Sequence, residues 1–80
     1  MDSTNDLIID SLKEEPIGET NHFIWFITDI GIAALFKSEQ SFETYNSYVE
    51  NEANKIGLDI TKEEKDLLKI KDKKLFLFYS

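Results

Sequence analysis

Chemistry needs groups that move protons, attack an electrophile or hold a metal, and this chain carries few of them. It has one histidine, His22, with no cysteine and no arginine. Histidine is the commonest general base, but it works with a nucleophile or second acid–base group and an orienting partner. His22 follows Asn21 at the start of an apolar run, and a lone histidine at a strand edge reads as structural or merely exposed. The serines at 3, 11, 38, 41, 47 and 80 sit in no Gly-x-Ser-x-Gly elbow, and three glycines form no phosphate-cradling loop. The absence of cysteine removes disulfides, thiolate metal sites and thiol nucleophiles together.

Carboxylates are the abundant functional group. They could act as an acid–base pair or bind a hard cation through oxygen. Glu14-Glu15 and Glu63-Glu64 are sequential pairs that diverge on a helix, while Glu39, Glu43 and Glu50 form an open stripe unlike a calcium loop. No catalytic residue, metal site, cofactor or small-molecule substrate is therefore expected, and the chain reads as a non-enzyme.

The lysines at 62, 65, 69, 71, 73 and 74, followed by Phe76, Phe78 and Tyr79, share the composition of single-strand nucleic-acid binders. Glu63, Glu64, Asp66 and Asp72 interleave with them, so a salt-bridged helix face and charges guarding an apolar strand explain them more simply. Without arginine the bidentate grip on phosphate or guanine is missing. Direct nucleic-acid binding is not expected.

The charge has a clear distribution. The 80 residues carry a formal net charge of -7; residues 1–60 hold 12 acids and 3 lysines, residues 61–80 hold 4 acids and 6 lysines. An acidic body thus precedes a weakly basic tail, and an acidic body repels a phosphate backbone. The mostly apolar stretch at 23–36 is 14 residues with Asp29 and Gly31 inside it, short of the roughly 20 a membrane span needs. Residues 1–6 are polar and acidic, unlike a secretory leader. A cytoplasmic protein that makes no membrane contact is expected. Ten Ile, five Asn and nine Lys without Arg suit an AT-rich coding sequence, as in low-GC bacteria, their phages or mobile elements.

The elements that must position these groups follow from pattern. Residues 1–4 read as a frayed N-terminus and residues 5–14 as a short helix, which Pro16 ends because the residue before proline avoids helical geometry. His22 to Thr28 is aromatic and β-branched on both alternating faces and reads as a strand. Asp29-Ile30-Gly31 then suits a three-residue link closing on a glycine with positive φ, making a hairpin with Ile32 to Lys37. The competing reading starts a helix at Ile30, since Ala33, Ala34 and Leu35 favour one.

The longest predicted helix spans 39–56, with Ser38 as N-cap and Gly57 after its last turn. Phe42, Tyr45, Val49, Ala53 and Ile56 form its core stripe, and Glu39, Glu43, Asn46, Glu50 and Asn54 gather on the opposite side, with Tyr48 and Glu52 on the flank. Thr61-x-x-Glu64 has capping-box form and predicts a third helix at 62–69. Residues 75–79 read as a final strand; alternatively residues 67–71 pair with it as a second hairpin.

This ordering, α-β-β-α-α-β, predicts a single α+β domain over 1–80, with a three-stranded, mainly antiparallel sheet packed against the long helix. Two strands apolar on both faces exceed what one helix covers, so flanking helices, another copy or a partner must cover the rest. The functional expectation follows by elimination: a small acidic protein–protein interaction module that docks on a basic site of a larger protein. An inhibitor, immunity or anti-host and anti-defence factor would act in this way, with nucleic-acid mimicry as its most specific form. The docking residues would be Glu39, Glu43, Asn46, Glu50 and Asn54. The competing expectation is a structural or homodimeric regulatory unit without an inhibitory role.

Overall fold

The apolar run at 23–36 forms the expected hairpin, and that hairpin lies within a larger sheet than expected. In a computed structural model of the chain, residues 3–60, 63–70 and 72–79 are described. The elements are α1 (Ser3–Ser11), β1 (Gly18–Glu19), β2 (Phe23–Thr28), β3 (Gly31–Phe36), α2 (Phe42–Asn46), α3 (Val49–Lys55), β4 (Glu64–Ile70) and β5 (Lys73–Tyr79). The strands make one five-stranded sheet in the order β1-β2-β3-β5-β4, and every neighbouring pair is antiparallel. The three-stranded sheet packed on one long helix is therefore incorrect: among the described residues the sheet has five strands and dominates, and the helices are three and short.

Strand β3 occupies the centre, paired to β2 along its whole length and to β5 along most of it. Ala33 and Ala34 have no exposed surface, and one lies in each of the two core clusters. Their helix propensity is overridden because two partner strands and two apolar faces are satisfied at once. Thr28 pairs with Gly31, so the link is two residues and not three. The Thr28 hydroxyl accepts from the amides of Ile30 and Gly31 at 3.2 and 3.1 Å and donates to the Gly31 carbonyl at 2.7 Å. Gly31 has φ 153, and a Cβ there would lie 1.9 Å from the Phe78 carbonyl oxygen.

The two faces of the sheet are covered by different helices. Phe23, Trp25, Phe36, Phe76 and Phe78 pack under Tyr45, Val49 and Ala53 from α2 and α3. Phe26, Leu35, Leu75 and Leu77 pack on the other face, where Ile8 of α1 is fully buried and Ile9 and Leu12 lie beside it. Helix α1 thus supplies the second cover. It ends ahead of Pro16, while Met1 and Asp2, part of the frayed tail expected at 1–4, lie outside the described residues.

The helix expected at 39–56 is broken. Ser41, not Ser38, caps α2 by accepting from the Thr44 amide at 3.2 Å, and Ser38 instead shares a hydrogen bond of 2.9 Å with the Tyr45 hydroxyl. The Ser47 hydroxyl donates to the Thr44 carbonyl at 2.7 Å and the Tyr48 amide bonds back to Tyr45, which tightens the chain into a turn before α3. Gly57, at φ 81, follows α3 in the left-handed geometry that a helix end favours.

The helix expected at 62–69 is replaced by β4. Thr61 and Lys62 of the proposed capping box lie outside the described residues. From Glu64 onward every residue pairs with β5, in the register Glu64 to Tyr79 through Ile70 to Lys73. A second hairpin forms, as in the alternative reading, but over Glu64–Ile70 and not 67–71, with Lys71 outside the described residues. Lys65 sits over the Phe76 ring at 5.1 Å, so even its charged residues help cover β5. Among the described residues, no helix is long and apolar enough to cross a membrane.

Gly31→Ala is expected to destabilise the fold by roughly 2–4 kcal/mol, because the added methyl has only backbone to displace. Urea unfolding checks this, with Gly57→Ala, where a Cβ meets nothing within 4 Å, expected to cost less.

Candidate functional site

The most concentrated polar chemistry in the fold is a carboxylate sealed between the helical layer and the sheet. Glu52 points inward from α3 and is 3 % exposed. Its Oε1 accepts from the His22 amide at 2.9 Å, and its Oε2 meets the His22 ring at Nδ1. The Thr20 hydroxyl beside this carboxylate helps to hold its charge, accepts from the Trp25 indole at 2.9 Å and donates to the Phe23 carbonyl at 3.4 Å. Tyr48 stacks flat on the imidazole, with centroids 4.1 Å apart and planes 7° from parallel, while Tyr45 meets it edge-on at 5.5 Å. No buried side-chain polar atom among the described residues is left without a partner.

Burial pushes the Glu52 carboxyl up, but the hydrogen bonds from Thr20 and from the ring and amide of His22 outweigh it and hold it below its ordinary value of 4.5. The carboxylate is thus kept ionised in a nearly closed site. It orients the imidazole through Nδ1, the role an orienting acid plays in catalytic dyads. Among the described residues, the imidazole meets the rings of Tyr45 and Tyr48 and the carboxylate of Glu52. The hydroxyls of Ser11, Ser38, Ser41 and Ser47 hydrogen-bond elsewhere, and none reaches His22. What the geometry performs on its own is fastening, since one carboxylate ties α3 to the chain entering β2.

Sequence reasoning placed His22 alone and Glu52 on a flank. The available signal was spacing: Glu52 lies seven residues after Tyr45 and three after Val49, on the helical stripe that enters the core. An acid on that stripe needs a hydrogen-bonding or charged partner.

The five residues expected to form a docking stripe are all exposed, but they no longer share one helix. Glu43 and Asn46 lie on α2, and Glu50 and Asn54 lie one turn apart on α3. Glu39 sits in the loop before α2 and lines a hollow against the β4–β5 turn. Asn46 is held by Lys65 of β4. Beside Glu43, Phe42 is 41 % exposed while its ring edge touches Phe76 at 5.5 Å between centroids. Among the described residues, no group of three or more His, Asp or Glu is placed to hold a metal ion.

The lowered Glu52 value has a signed consequence. The unfolded chain takes up a proton at this group before the folded one does, so its stabilisation is complete above pH 4.5 and is lost as pH falls through the lower native value. Glu52→Ala at neutral pH should cost roughly 2–4 kcal/mol. Glu52→Gln should lack this component of the acid-limb decline, which urea midpoints between about pH 7 and pH 3 will show against the parent chain.

No curated protein and no solved structure matches the chain. Residues 6–80 match the family described as a domain of unknown function, DUF8674, and with nearly its whole length inside that match the chain belongs to this family.

Proposed function

We propose that this domain acts by binding and not by catalysis, as a small acidic module that docks its outer helical surface on a basic site of a larger protein. The observation that carries this reading is the state of three carboxylates. Glu39, Glu43 and Glu50 are exposed, and among the described residues none of them forms an ion pair. Phe42 adds a half-exposed aromatic beside Glu43, and an aromatic anchor ringed by charge suits a protein interface. Unpaired carboxylates at such a surface chiefly raise association rate and selectivity toward a basic partner.

Inhibition, immunity or interference with a host or defence protein are roles this mode of action serves. In its most specific form the carboxylates stand in for phosphates on a partner that otherwise binds nucleic acid. A homodimer has less to explain once α1 covers the second sheet face. In antiparallel self-pairing of β4 about Leu67, moreover, Lys65 of one copy would oppose Lys69 of the other, an unfavourable match.

The test begins with affinity capture of the partner from the native cytoplasm and continues with the purified pair. Replacing Glu39, Glu43 and Glu50 together by Gln should weaken the complex about tenfold at low salt and flatten its salt dependence. Unchanged affinity at low salt would remove the acidic surface from the account.

A further inference from the structure

The strongest unassigned feature is cationic, on a chain whose net charge is -7. Between the loop after β3 and the β4–β5 turn lies a hollow of about 330 Å³ lined by Lys37, Lys69, Lys73 and Lys74, with Phe36 in its wall. That volume is at the lower end for small-ligand sites. Lys37 is compensated by Glu19 at 2.7 Å. Lys69, Lys73 and Lys74 form no ion pair with any described residue, although Glu39 and Asp72 also line the hollow.

The arrangement of the three is itself informative. Lys69 and Lys74 are directly opposed across β4 and β5, on one face of the sheet. Like charges at directly opposed positions destabilise a strand pair. Guarding an open sheet edge does not require this, because Lys74 sits on β5, an inner strand. Lysine binds phosphate as a point charge, and an anion seated between the two ammonium groups would turn their repulsion into shared attraction.

We propose that this hollow is a binding site for a small phosphorylated ligand bearing at least two adjacent phosphate groups, with the opposed Lys69 and Lys74 bridging them. This ligand lies beyond the expectation of no small-molecule partner, and the site shares Glu39 with the proposed docking surface while standing apart from Glu43 on α2 and Glu50 on α3. A nucleic-acid strand fits less well, because the hollow is local and the acidic body around it repels a long polyanion.

Titration of the full chain with inorganic pyrophosphate, followed by amide NMR shifts and by melting temperature, tests this directly. Orthophosphate, ADP and a single-stranded oligonucleotide serve as comparison arms. Pyrophosphate should saturate, raise the melting temperature and move the amides of Ser38, Lys69, Lys73 and Lys74, with orthophosphate weaker. ADP binding more tightly than pyrophosphate identifies a nucleotide, and equal binding identifies the diphosphate alone. Lys69→Gln and Lys74→Gln should each weaken pyrophosphate about tenfold, with Lys69→Arg retaining most of the affinity and Lys55→Gln, outside the hollow, unchanged. Without ligand, Lys69→Gln should melt no lower than the parent chain, which separates lost binding from lost folding. The proposal is overturned by no saturation in the millimolar range, by an equal effect of Lys55→Gln, or by an oligonucleotide that outcompetes pyrophosphate and shifts amides along the whole of β4.

Discussion

A nearly buried carboxylate is the constraint around which this small fold is arranged. Glu52 cannot remain ionised between a helix and a sheet unless donors converge on it, and the chain supplies the backbone amide and ring of one histidine, with a threonine hydroxyl beside them. Those donors come from residues 20–22, which enter β2, so satisfying the carboxylate fixes where α3 lies on the sheet. The same contact draws in Tyr48, whose ring must lie flat on the imidazole. The turn between α2 and α3 holds Tyr48 there. The break in the helical layer is thus tied to the pair that it frames.

The second constraint is the central strand. Strand β3 has neighbours on both edges and apolar residues on both faces, so each face needs a cover of its own. The two short helices after β3 supply one cover and α1 supplies the other. Small side chains at Ala33 and Ala34 let the strand lie between the two layers, and Gly31 lets its first residue pass close to the Phe78 carbonyl. Large aromatic side chains then fill the space on the α2–α3 face. Phe23, Trp25 and Phe76 are each without exposed surface, and each such burial is worth roughly 1.5–3 kcal/mol.

What was legible in the sequence is what local chemistry decides. The β2–β3 hairpin, the stop before Pro16, the glycine after the last helical turn and the core stripe of Tyr45, Val49 and Ala53 all rest on neighbouring residues. The failures are cases where a distant partner outweighed a local signal. Residues 64–70 carry alternating charges and follow a capping-box motif, but β5 offers an apolar strand to pair with, and cross-strand pairing prevailed. Ser38, a sound cap by type, was diverted to the Tyr45 hydroxyl, and Ser41 took its place. The link between Glu52 and His22 spans thirty residues, so spacing could reveal the need for a partner but not which residue meets it.

The functional picture follows from the same division of labour. The one histidine is tied to Glu52 within the fold, and both proposed recognition surfaces rest on surface charge instead, acidic on the helical side and cationic in the hollow by the β4–β5 turn. The central claim is that the imidazole and the Glu52 carboxylate are energetically coupled. A double-mutant cycle with His22→Ala and Glu52→Ala, read by urea unfolding at neutral pH, tests it most directly. The backbone amide at position 22 persists in every variant, so the cycle isolates the ring. The account predicts a coupling of roughly 1–3 kcal/mol, and costs that simply add would contradict it.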